Sequence, residues 1–255
     1  MSFKIFLCLA VGVLVLPLLF GESPAKSGII AGKVTVKGNI PQPTFIAITK
    51  DMTCCGKSKQ NPRLSVCSDG GVANAVVYLE STLRPVGLKP GAFTINQTKC
   101  EYLPHVLVVP TGSDVQIRNG DPVLHNVHAY DLTAKQPDQN GFPTLFNIAL
   151  PVKDQQFKKA LANSGTYLLT CDSGHPWMSA YVLALQTPFF AVTDAQGRYS
   201  IANVPAGSYK VHFWHEGVAL TPGSQNIAEE PYAAVKDIVI RSGQTAISNF
   251  DFSLR

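Results

Sequence analysis

Charged side chains are scarce in this chain of 255 residues: Asp, Glu, Lys and Arg together make up only 15% of it, well below the roughly 25% of ordinary globular domains. The formal net charge is only +4, and no run of basic residues occurs. Because a nucleic-acid-binding surface needs clustered positive charge, we expect no nucleic-acid partner. Disorder is excluded as well, since 45% of the residues are hydrophobic and can form one large core or two small ones.

Beyond its N-terminal region the sequence also lacks a long stretch with helical amphipathicity and a repeat of fixed period. It shows no Ser-His-Asp triad, no pair of catalytic carboxylates and no phosphate-binding loop. What it has instead is 20 Gly and 18 Pro, which separate short apolar stretches as turns separate strands. We therefore predict an all-β fold.

Strands are predicted wherever apolar and polar residues alternate or β-branched residues cluster. These places are residues 29–37, 72–80, 165–171 and 179–185, three short strands between 93 and 119, and further short strands after residue 189. The polar residues 130–165 predict a long connection with at most two weak strands. Within it, the sequence FKKALA at 157–162 fits a helical turn or a strand.

Only one long hydrophobic run occurs, and it lies at the N-terminus. Lys4 precedes apolar residues 5–20, and small residues follow up to Ala25. This pattern predicts a signal peptide over residues 1–25, with an uncleaved anchor as the alternative. Because the run is shorter than the ~20 residues that span a bilayer, we expect export to the periplasm or the outside of the cell. The membrane is then contacted only transiently, through the signal peptide.

Removing Cys8 with the signal peptide leaves five cysteines, an odd number for an oxidising compartment. Four precede residue 101 and can form two disulfides, but the adjacent Cys54 and Cys55 are poorly placed to bridge each other. We therefore expect Cys100 to pair with Cys54 or Cys55, and the other member of that pair to bond Cys67. Cys171 remains free for a different role.

The most specific local feature surrounds that free cysteine. Cys171, His175 and Met178 offer a thiolate, an imidazole and a thioether directly after a predicted strand. These soft and borderline ligands suit copper, which favours two His, one Cys and a weak axial Met when it changes oxidation state. The second imidazole is expected from His125, which follows another predicted strand and a Gly turn.

Residues 93–128, which end in the sequence HNVH, resemble the opening strands and first ligand loop of the cupredoxin (blue copper) family, and GTYLLTC at 165–171 resembles its last strand before the Cys ligand. The resemblance covers about residues 92–185 and implies a cupredoxin-like Greek-key β-sandwich. It also implies one copper ion held by His125, Cys171, His175 and Met178, with Asn126 steadying the Cys loop. Since this region offers only Cys171 as a free thiolate, a binuclear centre is not expected.

Other candidate residues leave alternatives open. In an extended strand His125 and His128 point to opposite faces, so both can bind one ion only across a bulge, and His128 stays a possible ligand. His105, His212 and His215 have no comparable partners and are expected to be structural. Trp177 is either a partly exposed docking residue beside the metal or packing over the loop.

The sequence outside the copper-like region carries a second resemblance. Residues 186–255 are similar to the second half of a carboxypeptidase regulatory-like, prealbumin-type β-sandwich, and the N-terminal β segment 28–90, with its Cys-rich loop, is similar to the first half. The domain at 92–185 would then be inserted into a small sandwich built from both ends of the chain. The usual roles of that family are orientation, adhesion or contact with sugars.

A four-ligand copper site among apolar residues favours one-electron transfer with a redox partner protein over catalysis, which needs an open coordination position. Two alternatives remain. The first is a copper-dependent redox enzyme acting on a small molecule. The second is a non-catalytic binding protein for a carbohydrate or another cell-envelope component, in which the metal is structural.

Overall fold

The computed structural model describes residues 27–40, 45–80, 89–134, 141–218 and 228–254. The expected signal peptide, residues 1–25, lies outside these ranges. Across them no helix combines the length and the apolar character needed to cross a bilayer. Nearly all of the regular structure is β, which confirms the all-β prediction.

Nine strands within the described residues 89–134 and 141–185 form two facing sheets, which we call the central sandwich. One sheet has the order β10-β9-β12-β13-β7 and the other the order β11-β8-β5-β6. The strands are β5 (Ala92–Gln97), β6 (Tyr102–Leu103), β7 (Val106–Pro110), β8 (Asp114–Asn119), β9 (His125–Asp131), β10 (Thr144–Leu150), β11 (Gln156–Ala160), β12 (Gly165–Thr170) and β13 (Ser179–Leu185). The ambiguous residues 157–162 therefore begin as a strand, and the described part of the long connection holds two strands, β10 and β11.

Eight strands from both ends of the described chain form a second pair of sheets, the terminal sandwich. One sheet has the order β15-β1-β18, with β19 also paired to β1, and the other has the order β14-β4-β16-β17. The strands are β1 (Ser27–Lys37), β4 (Val76–Glu80), β14 (Phe190–Val192), β15 (Arg198–Pro205), β16 (Gly207–His215), β17 (Tyr232–Ile240), β18 (Thr245–Ile247) and β19 (Phe250–Ser253).

Strand β13 shows how the two sandwiches share apolar surface. Ala180, Val182 and Ala184 pack into the core of the central sandwich. The alternate residues Tyr181 and Leu183 face a separate apolar cluster that includes Trp214 of the terminal sandwich. Because both faces of β13 are buried, its sequence has no polar alternation.

A short segment between β1 and β4, which we call the cap, covers one end of the central sandwich. It consists of β2 (Phe45–Ala47), the single-turn helix α1 (Met52–Cys55) and β3 (Ser58–Gln60). A disulfide between Cys55 and Cys100 fastens α1 to the turn after β5. Ile48 of the cap is buried in the core of the central sandwich, so the cap is packed as well as cross-linked.

Candidate metal centre

The strand pairing brings two of the predicted ligands to one end of the central sandwich. His125 is the first residue of β9, and Cys171 directly follows β12. Because β9 and β12 run antiparallel, the start of one lies beside the end of the other. The loop from Cys171 to β13 then carries His175 back over the same end.

Three donor atoms converge in this place. The Nδ1 atoms of His125 and His175 lie 3.2 Å apart. Cys171 Sγ lies 3.9 Å from Nδ1 of His125 and 3.6 Å from Nδ1 of His175. Both imidazoles are fully buried, and the thiol is nearly so. The arrangement is a buried two-nitrogen, one-sulfur donor set of the size that holds a single metal ion.

Burial favours the uncharged forms of two of these donors. It raises the pKa of the Cys171 thiol, although hydrogen bonds from the backbones of Asn126 and Ser173 oppose the rise. Burial also lowers the pKa of His125, against the opposing effect of Asp121. A metal ion that binds here therefore meets a neutral imidazole and must displace the thiol proton.

The outer nitrogen of His125 is held by a carboxylate. Its Nε2 lies 2.9 Å from Oδ2 of Asp121. The backbone N–H groups of Lys99 and Cys100 also donate to Asp121, at 2.7 and 2.8 Å. Burial alone would raise the pKa of Asp121, but these hydrogen bonds outweigh it and lower that pKa. With Asp121 ionised and accepting from Nε2, the lone pair of His125 Nδ1 is directed to the centre.

His175 has the same arrangement with a carboxylate from the cap. Its Nε2 lies 3.0 Å from Oδ2 of Asp51, the residue that precedes α1. Neither Asp51 nor Asp121 was predicted from the sequence as part of the site. Asp121 is four residues before His125, a spacing that gives a local signal, whereas Asp51 is 124 residues away from His175 and gives none.

Asn126 links the two ligand loops. Its backbone N–H points to Cys171 Sγ at 3.5 Å, and its side-chain Oδ1 accepts a hydrogen bond from the backbone N–H of Asp172. Its Nδ2 donates to Asn147 on β10 at 2.7 Å. These contacts fix the backbone around Cys171 from the neighbouring strand.

Met178 and Trp177 complete the loop. Met178 is buried, belongs to the same apolar core as Cys171, and donates its backbone N–H to the carbonyl of His175 at 2.9 Å. Trp177 is also buried, and its Nε1 donates to the carbonyl of Cys100 at 3.1 Å. Of the two alternatives for Trp177, packing over the loop is therefore the one observed, and a partly exposed docking residue is not.

His128 lies away from this centre. It is on the opposite side of β9 from His125, where its Nδ1 contacts Asp172 at 2.7 Å and its Nε2 contacts Thr144 at 2.7 Å. Its ring stacks on Tyr130 with centroids 4.1 Å apart. The structure therefore does not place His128 with the other three donors.

The remaining histidines have structural contacts. His105 pairs with Glu216 between the two sandwiches. His212 stacks on Tyr78, and the buried His215 packs against Phe252. In the described part of the chain, none of the three belongs to a cluster of metal-binding donors.

The cysteines agree with the sequence analysis only in part. Cys100 is bonded to Cys55, one of its two expected partners. The second expected disulfide, from Cys54 to Cys67, is absent, and both thiols are free. The reason is placement: Cys54 lies on the cap, whereas Cys67 lies in a turn of the terminal sandwich and donates to Asp69 at 2.9 Å.

No protein-family model and no curated protein matches this chain. Among solved structures, a purple cupredoxin from Nitrosopumilus maritimus is 23% identical, with a TM-score of 0.28, and the match covers 36% of this chain and 99% of that one. Amicyanin from Paracoccus versutus is 21% identical, with a TM-score of 0.31, and the match covers 43% of this chain and 97% of that one.

A copper-containing nitrite reductase from Thermus scotoductus SA-01 is also similar, at 17% identity and a TM-score of 0.29. That match covers 42% of this chain and 25% of the reductase, so this chain spans only a quarter of the reductase's length.

Proposed function

We propose that the chain is a cupredoxin-like protein that binds one copper ion and transfers single electrons to and from a redox partner protein. The observation that carries this proposal is the buried set of His125 Nδ1, His175 Nδ1 and Cys171 Sγ, whose mutual distances are 3.2 to 3.9 Å. Two imidazoles with one thiolate are the equatorial ligands of mononuclear electron-transfer copper sites.

The residues fit copper better than the other common metals. A structural zinc site needs four firm ligands, commonly Cys and His, but the centre groups three such donors, and the expected fourth ligand is Met178 of the same loop. A thioether is a weak ligand for zinc but a common axial ligand for copper. When bound, copper would supply one-electron chemistry between its two oxidation states. The carboxylates of Asp51 and Asp121 hold the imidazoles in place, so a change of charge at the centre requires little movement of the ligands.

Burial of the centre supports electron transfer over catalysis on a small molecule. His125 and His175 are fully enclosed, and Cys171 and Met178 are 4% and 2% exposed. A catalytic metal needs a coordination position that substrate can reach, whereas electrons pass through packed protein. We also propose that the protein is exported, because the signal-like N-terminus agrees with a disulfide at Cys55 and Cys100.

The test is the visible absorption spectrum of the copper-loaded protein after oxidation with ferricyanide. We expect an intense thiolate-to-Cu(II) charge-transfer band that disappears in Cys171→Ser. In Met178→Leu the band is expected to persist while the reduction potential shifts. A colourless Cu(II) complex would refute the proposal, and tight binding of azide to the oxidised site would favour a small-molecule redox enzyme instead.

A further inference from the structure

The cap closes the metal centre on the side of His175. Lys50 donates from Nζ to the carbonyl of Ser173. It also packs closely on Gly174: a Cβ atom placed on this glycine would lie only 2.7 Å from Lys50 Cδ. The Cys55–Cys100 disulfide lies within 4.8 Å of the nearest ring nitrogen of His175. His175 is thus enclosed by a segment that precedes the central sandwich in the chain.

Asp51 is the residue of this segment whose side chain contacts the imidazole of His175. It occupies the N-cap position of α1, where an Asp side chain normally accepts a hydrogen bond from the first turn of the helix. No such bond forms, and the backbone has φ 53° and ψ 35°, in the left-handed region. The carboxylate instead accepts from Nε2 of His175 at 3.0 Å. A side chain suited to helix capping is therefore turned towards the imidazole.

We propose that Asp51 is a positioning residue of the metal centre, which fixes His175 with its proton on Nε2 and its Nδ1 lone pair facing Cys171 and His125. This inference rests on the proposed function only for the identity of the metal. If Asp51 has this role, one of the three donors of the central sandwich is oriented by a carboxylate from the N-terminal segment. A central sandwich without the cap would keep the three donors but lose the group that orients one of them.

The first arm of the test uses metal-free, full-length protein and nitrogen-resolved NMR of the histidine side chains. We expect His175 to show a slowly exchanging Nε2–H. In Asp51→Ala this proton should exchange about ten- to a hundredfold faster, since a charge-assisted hydrogen bond is lost. Asp51→Asn, which keeps an acceptor oxygen and tolerates a left-handed backbone, should restore much of the protection.

The second arm measures the reduction potential of the copper-loaded protein. Removing the carboxylate in Asp51→Ala should raise the potential, because a negative charge near the centre stabilises Cu(II) relative to Cu(I). The matched control is Glu101→Gln, which removes another carboxylate close to the cap, where Glu101 pairs with Lys59 at 3.4 Å. It should leave the His175 Nε2–H protected and change the potential less.

The two arms fail separately. If His175 carries its proton only on Nδ1, or if its Nε2–H exchanges equally slowly in wild type and Asp51→Ala, the positioning role is wrong even when the copper spectrum is as expected. If the NMR result agrees but the copper-loaded protein is colourless, the role of Asp51 stands and the proposed copper function falls. Should Asp51→Ala fail to fold, Asp51→Gly replaces it, because glycine also lacks the carboxylate and readily adopts the left-handed backbone found here. Exchange that is faster in Asp51→Gly than in Glu101→Gln supports the role, and equal exchange overturns it.

Discussion

The side chains of His105 and Glu216 are paired between the central sandwich and the terminal sandwich, and they form an ion pair when the imidazole is protonated. His105 immediately precedes β7, and Glu216 immediately follows β16. The His105 Nε2 atom contacts Oε1 of Glu216, while its Nδ1 lies 3.0 Å from the carbonyl of Ser179. Ser179 is the neighbour of Met178, the residue expected to offer a thioether to the metal. The pair therefore connects the end of the loop from Cys171 to Met178 with the terminal sandwich.

The first prediction concerns the pH dependence of this pair. Burial disfavours a charged His105, but the Glu216 charge and hydrogen bonds outweigh burial and raise the pKa of His105. A raised pKa in the folded protein gives stability that is complete below the unfolded value of ~6.5 and is lost as pH rises through the folded value. His105→Gln should therefore cost roughly 3–5 kcal/mol at acidic pH and less at alkaline pH.

Urea denaturation of wild type and His105→Gln at several pH values checks this prediction. The control is His212→Gln, because His212 is paired with Glu80 at 3.2 Å and is more exposed than His105. Its free energy of unfolding should change by no more than about 0.5 kcal/mol. A cost for His105→Gln that is the same at every pH would mean that the ion pair does not contribute through its charge.

The second prediction concerns Asn126. Replacing it with Ala removes the acceptor of the Asp172 N–H and the donor to Asn147, and so breaks two partly buried hydrogen bonds. We expect a loss of roughly 1–3 kcal/mol in the free energy of unfolding. The charge-transfer band should remain but broaden or shift, because Cys171 is kept while its loop is less restrained. An unchanged spectrum and stability would show that Asn126 does not hold this loop.

The third prediction separates the two histidines of β9. His125→Ala should weaken copper binding by more than the roughly 10- to 100-fold typical of outer-sphere partners, since it removes a donor. His128→Ala should leave the spectrum nearly intact, because its contacts are with Asp172, Thr144 and Tyr130. Titration with a competing chelator measures both. The reverse order of effects would make His128 the ligand.

The fourth prediction concerns the disulfide. Mass mapping of the non-reduced protein should find Cys55 bonded to Cys100, with Cys54, Cys67 and Cys171 free. Cys100→Ser is the informative variant, because Cys54 Sγ lies within 4.8 Å of Cys100 Sγ and could replace Cys55 in a Cys55→Ser variant.

Closing a loop with a sequence separation of 45 residues contributes about 4 kcal/mol in the chain-entropy treatment, so Cys100→Ser should lower the melting temperature. Cys67→Ser is the control and should melt close to the wild type. A Cys54–Cys67 bond in the mass map, or an equal loss of stability in the two variants, would contradict the observed pairing.

The strands were predictable because their signal is local. Alternation in residues 29–37 and the Gly and Pro residues between apolar stretches act over a few positions, and they mark β1 and most of the later strands. The burial of β13 on both faces also shows in its sequence, which has almost no polar residue. The sequence could not distinguish the turn at 72–75 from strand β4, so the predicted strand began at residue 72. Val72 and Ala73 are buried and apolar like the strand that follows.

The candidate site was predictable only where its residues also give a local signal in the sequence. His125 and Cys171 adjoin strand ends, and His175 follows Cys171 by four residues, so chemistry and spacing suffice to group them. Asp51 reaches His175 only through the packing of the cap. Neither the choice of Cys55 over Cys54 nor the free thiol of Cys67 follows from counting cysteines, since both depend on where the folded chain places each sulfur.

The last prediction tests our proposal that the central sandwich is inserted into a domain built from residues 28–90 and 186–255. Strand β1 lies between β15 and β18 in its sheet and also pairs with β19. It buries Ile30, Val34 and Val36 in the terminal core.

Deleting residues 29–37 would leave β15, β18 and β19 without their shared partner and open a sheet edge. We therefore expect the C-terminal half to lose its cooperative unfolding transition, as followed by calorimetry and hydrogen exchange. A matched deletion of β11, an edge strand of the central sandwich, should leave that half protected. A cooperative melt of residues 186–255 expressed alone would instead show that the C-terminal strands fold without β1, and the two sandwiches would then be sequential domains.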